Sequence, residues 1–308
     1  METLKIIAAQ AAISLENANF YEKLEDYNRT LEQKVEDRTA QLAQANAEIL
    51  SLNERLKVEN LRMSAELDVT RSLQQMILPQ LQELESIEGL EIAAFMESAD
   101  EVCGDYYDVL NYDGKATIGI GDVTGHGLES GVLMIMAQTG IRTLLTHNET
   151  DPVKLLQTVN QTLFDNVERM NSGKNMSLSL LEYRDNTLRL SGQHEEVIVV
   201  RYSGEVERID TIELGFPIAL EADIADFLAT TEIQLNSGDV VVLYTDGITE
   251  AFDMNKDQYG IEPVIEVVVL NREQSAAEIK QTVIDDVRRY IGEQKVFDDI
   301  TLVVIKQK

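Results

Sequence analysis

Residues 117–127, TIGIGDVTGHG, lead a strand-like run into Asp122 and then straight into a glycine-rich turn. Three other segments repeat that join of a β-prone stretch and an acid. They are CGDYYDVL at 103–110, VVVLYTDGITEA at 240–251 and FDDITLVVI at 297–305, carrying Asp105, Asp246 and the pair Asp298–Asp299. If the strands lie side by side, these carboxylates converge with no cation evident among them. Two carboxylates about 4 Å apart repel by about 4 kcal/mol at an effective dielectric near 20. A fold that gathers four must raise their pKa values or bind divalent metal. Taken singly, each aspartate is an ordinary turn former or helix cap; the claim rests on the set.

Outward from these segments the chain reads as strands with helices grouped between them. LEIAAFMES and KATIGIGDV are β-like. GLESGVLMIMAQTGIRTLLTH and DPVKLLQTVNQTLFDNVERM read as helices, the second opening with Asp151 at the N-cap and Pro152 behind it. Strands follow in MSLSLLEYR, NTLRLSG, EVIVVRY, EVERID, TTEIQL and DVVVLYTD, parted by turn signals such as Tyr202-Ser203-Gly204 and Asn236-Ser237-Gly238. SAAEIKQTVIDDVRRYIG is a last amphipathic helix closed by Gly292, and DDITLVVIKQ a last strand. Consecutive strands with grouped helices indicate an α+β fold with antiparallel sheets. Two sheets sandwiched between helices would use all these faces.

The first 80 residues differ in kind, with neither proline nor glycine before Pro79. One heptad register from Leu24 to Met63 places Asn28, Val35, Leu42, Ile49, Leu56 and Met63 at a. It places Leu24, Leu31, Arg38, Ala45, Leu52 and Glu59 at d. This seam predicts a coiled coil over 23–64 and a parallel homodimer, with Asn28 at a favouring two strands in register. The plainer alternative is a single solvated helix. From 65 to 85 the apolar set Leu67, Leu73, Met76, Ile77 and Leu78 leaves that seam, which suggests a segment docked on the globular domain, a switch helix that positions the metal-site loops; on pattern alone a plain spacer reads equally well.

Composition narrows the partners. The 308 residues are 44% hydrophobic, enough for one sizeable core plus an accessory segment, and the formal net charge is −29. Such a chain is repelled by nucleic acid and by anionic membrane surfaces, so neither is expected as a partner. The single cysteine, Cys103, suits a reducing compartment. The run IIAAQAAISL is too short to span a bilayer and lacks signal-peptide flanks, so the expected location is cytoplasmic.

Oxygen ligands without thiolate or imidazole select Mg²⁺ or Mn²⁺. Two such ions about 3.5–4 Å apart form a clamp for in-line attack on phosphorus, with a water between them as nucleophile. Asp122 is the best bridging candidate: the turn after it brings backbone close enough for the Val123 carbonyl to serve as a ligand, and the next helix offers N-terminal amides to an anion. Asp246, followed by Gly247, ends a second strand at a sharp turn.

In order and spacing, CGDYYD, GDVTGHG, LYTDGITEA and DDITLVV resemble the metal-dependent type 2C protein phosphatases, most closely their SpoIIE/RsbU-like bacterial branch. The resemblance covers roughly residues 65–308. ELDVTRSLQQMILP looks like the helix that precedes the catalytic domain there. It implies an αββα sandwich over 86–308 and hydrolysis of phosphoserine or phosphothreonine on a protein. It implies that Asp122 bridges two Mn²⁺ or Mg²⁺ ions, that the Val123 carbonyl binds one, that Asp246 and Asp298 hold the other, and that Asp105 closes the cluster. Asp299 falls outside the expected ligand set. The branch acts on phosphorylated anti-sigma-factor antagonists, which makes a protein of that kind the expected substrate. LKIIAAQAAISLENANFYEKLE looks like the last helix of a GAF sensor domain, here residues 1–22, which would make the chain a portion of a longer sensor–phosphatase.

Three departures from that pattern stand out. Cys103 replaces the usual glycine before GDYYD, a packing position rather than a redox one, since no neighbouring cation lowers its pKa. SGQHEEVIVV, around His194, is altered and more acidic. No basic residue is expected near the first metal motif to bind phosphate. His126 reads as a packed turn residue before it reads as a general acid, and His147 and His194 carry no assigned role. The changed positions keep open a second function, a non-catalytic signalling scaffold that retains the fold and acts by binding. A phosphodiesterase acting on a nucleotide is disfavoured, because there is no glycine-rich nucleotide loop.

Overall fold

The four acid-bearing segments occupy the ends of strands in two antiparallel sheets. The structure is a computed structural model and describes residues 1–99, 102–112 and 114–308, with side chains for all of these except 64–70 and 73. One sheet has the order β1 (Leu90–Glu97), β10 (Ile300–Gln307), β9 (Val240–Tyr244), β6 (Val197–Val200), β7 (Val206–Ile209). The other has the order β2 (Asp105–Tyr112), β3 (Lys115–Val123), β4 (Met176–Arg184), β5 (Thr187–Gln193), β8 (Thr230–Gln234). Every pairing is antiparallel. This is the α+β sandwich the pattern predicts.

Period-two alternation decides which side chains fill which layer. Ile118 and Ile120 of β3, Val241 and Leu243 of β9 and Val303 and Ile305 of β10 meet between the sheets. Their neighbours Val240, Val242, Leu302 and Val304 face outward onto α6 (Ile261–Asn271) and α7 (Ala276–Ile291). Leu178 and Leu180 of β4 face α3 (Leu128–Thr146) and α4 (Pro152–Met170). A strand covered on both faces reads as an unbroken apolar run, which is why VVVLY shows no polar alternation.

Helix ends follow their caps. The Asp151 carboxylate accepts hydrogen bonds from the Val153 and Lys154 amides, ahead of Pro152 at the first turn. Ser275 and Glu278 form a reciprocal capping box on α7, and Gly292 closes it at φ 66°. The sequence reading assigns no element to 261–271, where IEPVIEVVVLN carries a β-branched run. It is helical because Val264, Ile265 and Val268 lie on one face and bury against the sheet, so tertiary packing overrides local preference.

The chain divides into two units, Met1–Ser64 and Ala65–Lys308. The first is one continuous helix, the N-terminal part of α1 (Glu2–Ile77). Along it the seam residues are exposed, Val35 at 58%, Leu42 at 63% and Ile49 at 54%. No helix among the described residues is long and apolar enough to cross a membrane. In the second unit the described contacts of residues 74–78 with the rest of the fold are few and mostly polar. Gln74 is buried, Gln138 donates to the Ile77 carbonyl at 2.8 Å, and Leu78 packs on the core between the sheets. Met76 is exposed, and the side chains of Leu67 and Leu73 lie outside the described residues. α2 (Leu81–Glu85) follows Pro79.

Candidate metal centre

The β2–β3 hairpin sets Asp105 directly opposite Asp122, and the β3–β4 pairing sets Ser177 opposite Asp122 on the other side. From the opposite sheet, β9 ends at Tyr244 and Asp246 opens the short helix α5 (Asp246–Thr249). β10 begins just after Asp298 and Asp299. Gly247 is required by crowding, because a Cβ there would overlap the Asp299 carbonyl oxygen. The glycine thus lets the Asp246 turn close against the 298–299 backbone. Gly104 does the same just before β2, where a Cβ would stand 3.1 Å from the Val123 carbonyl oxygen and 3.3 Å from that of Gly125.

The acids differ in environment. Asp105 is 1% exposed, and its Oδ2 accepts hydrogen bonds from Thr245 Oγ1 at 2.8 Å and Thr301 Oγ1 at 2.5 Å. Thr301 lies on β10 of the opposite sheet, and Thr245 follows directly on β9. Burial, then the Asp122 charge, push the Asp105 carboxyl well above the carboxylate range, while the two hydroxyls pull against that. Asp122 is half-buried and pushed up to about 7, first by burial and then by the charges of Asp246 and Asp298. Asp246 is raised by burial, then by Asp298 and Glu250. Asp298 is exposed, and its Oδ1 accepts the Asp299 amide at 2.9 Å. Asp122 therefore lies within reach of the charge carried by the acids of the other sheet.

Asp299 has a different task. It is 3% exposed and accepts the Ala99 amide on one oxygen at 2.8 Å and the Gly104 amide on the other at 2.7 Å. Both oxygens are spent on holding the backbone that leads into Asp105. Asp108, the remaining acid of CGDYYDVL, forms a bidentate pair with Arg142 at 2.8 and 3.0 Å, which pins α3 to β2.

Cys103 is buried, and its backbone is bracketed by Gln74, which donates to the Cys103 carbonyl at 3.0 Å and accepts the Cys103 amide at 3.1 Å. Burial, then Asp105, raise its thiol pKa well above the usual value, so the thiol stays protonated and packs. It does not have positive φ, so the glycine's conformational freedom is not needed there. His126 is exposed in the 124–127 turn rather than packed into it.

Two contributors escape a reading along the chain. Lys174 donates to the Thr124 carbonyl at 2.8 Å, so a cation does reach the GDVTGHG turn, carried there by the Thr124–Asn175 backbone bond at 2.9 Å. Glu195, in the altered acidic stretch, is raised by burial, then by Asp246, and so adds to the negative field. The acidity of that stretch is visible in the sequence; its nearness to Asp246, like that of Lys174 to the turn, comes only from the fold.

The donor chemistry, carboxylate and carbonyl oxygen, suits a hard divalent cation, and the raised acids are the electrostatic sign of a place built for one. Among the described residues, no three His, Cys, Asp or Glu side chains are already closed into a ligand group. The acids are coupled in charge but not drawn together.

Two sheets between helix pairs, with acids at the strand ends, define a PP2C-type phosphatase fold. The family model described as Stage II sporulation protein E (SpoIIE) matches residues 112–308, and the chain belongs to that family. The match begins after Asp105. The chain is 23% identical over 254 residues to phosphoserine phosphatase RsbU of Bacillus subtilis (strain 168), covering 80% of this chain and 71% of that one. It superposes on the SiaA-PP2C domain of Pseudomonas aeruginosa with a TM-score of 0.69 at 20% identity, covering 81% of this chain and 98% of the other. It is also similar to the catalytic domain of the serine/threonine phosphatase PstP in complex with two manganese ions, with a TM-score of 0.50 at 18% identity, covering 70% and 97%.

Proposed function

We propose that this member of a serine/threonine phosphatase family is an active, Mn²⁺- or Mg²⁺-dependent enzyme that removes phosphate from phosphoserine or phosphothreonine on a signalling protein. The observation that carries this is Asp122, pushed up to about 7 by burial and by acids of the opposite sheet. A binding scaffold has no use for such repulsion, whereas a cation relieves it. Asp122, the Val123 carbonyl, Asp246 and Asp298 would hold two ions, with Asp105 beside them. When bound, the ions supply Lewis acidity and make water acidic enough to act near neutral pH.

The chain's own groups do the rest. Thr245 and Thr301 hold one oxygen of Asp105, the register partner of Asp122. Asp299 fixes the Gly104 backbone. Lys174 offers ammonium donors at the turn where a phosphoryl group would arrive. RsbU, a phosphoserine phosphatase, supports the phosphoserine class. The anti-sigma-factor antagonists implied by family resemblance are the substrates to try first.

The test is phosphate release from a phosphoserine protein with and without Mn²⁺. Release should require the metal and fall at least about 100-fold in Asp122→Asn, the scale of losing a group that acts on the transition state. Activity that survives chelation, or an undiminished variant, returns the protein to the scaffold reading.

A further inference from the structure

The proposed ligands come from two different sheets, so their spacing depends on what fastens β3 to the end of β9. Apolar packing between the sheets is non-directional and does not by itself fix a separation to within a few tenths of an ångström. Two of the polar fasteners at this end are acids, Asp105 on Thr245 and Thr301 and Asp299 on Gly104. Both are adjacent to or part of the charged cluster. A third is independent of it. His194 Nδ1 lies 2.7 Å from Ser177 Oγ, and its Nε2 lies 3.0 Å from the Tyr244 carbonyl oxygen. Ser177 is the register partner of Asp122, and Tyr244 stands two residues before Asp246.

We infer that His194 is a positioning residue, a neutral imidazole strut that spans the two sheets and sets the distance between Asp122 and Asp246. The inference rests on the metal-site reading above.

The partners fix the tautomer. A carbonyl oxygen only accepts, so Nε2 carries the proton and donates to Tyr244. Nδ1 is then an acceptor and takes the single Ser177 hydroxyl proton, in preference to the Asp122 carbonyl at 3.4 Å. The residue itself cannot swing. Its amide donates to Thr211 Oγ1 at 2.9 Å, and the fully buried Thr211 hydroxyl donates back to the His194 carbonyl. Burial lowers the imidazole pKa to about 4, against the pull of the Tyr244 bond, so the strut is uncharged near neutrality. A neutral link adds no charge to a crowded anionic site, and it holds whether or not a cation is bound. The acidic pair Glu195–Glu196 follows directly, so the altered stretch keeps the strut while changing the field beside it.

The experiment uses the full chain and Mn²⁺ alone as probe. Ser177→Ala and His194→Gln each remove the Ser177 link from one end, the second keeping a donor for Tyr244. By calorimetry each should weaken Mn²⁺ binding roughly tenfold, in the range found for groups that orient metal ligands indirectly. The double variant should be no worse than the worse single one, because all three remove the same link. In the metal-free wild type, imidazole ¹⁵N shifts should show the Nε2–H tautomer. Folded variants with wild-type Mn²⁺ affinity, additive losses or an Nδ1–H tautomer would overturn the inference. So would failure of both single variants to fold, since the link would then be a requirement of the fold. Wild-type protein that binds Mn²⁺ but releases no phosphate sinks the phosphatase reading and leaves the strut standing; wild-type protein that binds no Mn²⁺ sinks both.

Discussion

At the scale of single residues, the site turns on carboxyl groups that are hard to ionise. Asp122 titrates near 7 instead of the usual 3.8, and Asp105 and Asp246 are raised too. Between about pH 4 and 7 the folded metal-free protein therefore holds protons that the unfolded chain has lost. These acids make stability fall as pH rises through that window, an effect partly offset below about 6.5 by His194, which is neutral when folded and protonated when unfolded. The thermal midpoint of metal-free protein should be higher at pH 5.5 than at 7.5, and Mn²⁺ should reverse that order by displacing the proton. Apparent Mn²⁺ affinity should climb roughly tenfold per pH unit up to about 7 if one proton is displaced. A pH-independent calorimetric affinity would contradict this. Lys174 acts at the same scale. If it meets the substrate phosphate, Lys174→Ala should raise KM several-fold and leave kcat within about twofold, the signature of binding lost equally from ground and transition states. The acids were legible in the sequence because strand ends and glycines mark them. Lys174 and His194 were not, since each reaches the site only through pairings with residues 17 to 50 positions away in the chain.

At the scale of elements, what matters is how each helix and turn is tied to the strand that carries an acid. Asp108 is fully buried, and Arg142 is its charged partner from α3. Arg142→Ala would strand that carboxylate and should cost about 3 kcal/mol in a denaturant titration, the lower end for such a loss because the arginine is a third exposed. Gly247→Ala should cost about 3 kcal/mol as well, since the new methyl must push aside the Asp299 backbone. Unlike the first change it should also weaken Mn²⁺ binding, because that backbone carries Asp298. The strands and the capped helices were readable from period and cap chemistry. α6 was not, because its valines favour β structure locally and only the sheet beneath makes them a helix face. The polar docking of Gln74 on Cys103 was equally hidden, since glutamine carries no periodic signal.

At the scale of the whole molecule, the two units pose different problems of burial. Residues 65–308 fill three apolar layers of their own, between the sheets and under each helix pair. Residues 1–64 fill none. Their seam residues Leu24, Leu31, Val35, Leu42, Ile49, Leu52, Leu56 and Met63 are all 46–63% exposed on a lone helix. A solitary helix gains little in water beyond its own hydrogen bonds, and most helical stability comes from packing an apolar face. A second copy in parallel would bury this seam, with Asn28 facing Asn28 to fix the register. The full chain should therefore sediment as a dimer, and Ile49→Lys, which sets two cations against each other at an a position, should shift it toward monomer. Deleting residues 1–63 tests the same point from the other side. The remainder keeps every layer of its core, so it should fold, be monomeric by light scattering and retain Mn²⁺ binding, because the site residues all lie beyond residue 100. Its phosphatase rate should nevertheless change, because α1 continues to Ile77 and Gln74 grips the backbone two residues before Asp105. A truncated protein that remains dimeric would place the dimer contact in the catalytic unit and remove the coiled coil's claim to it.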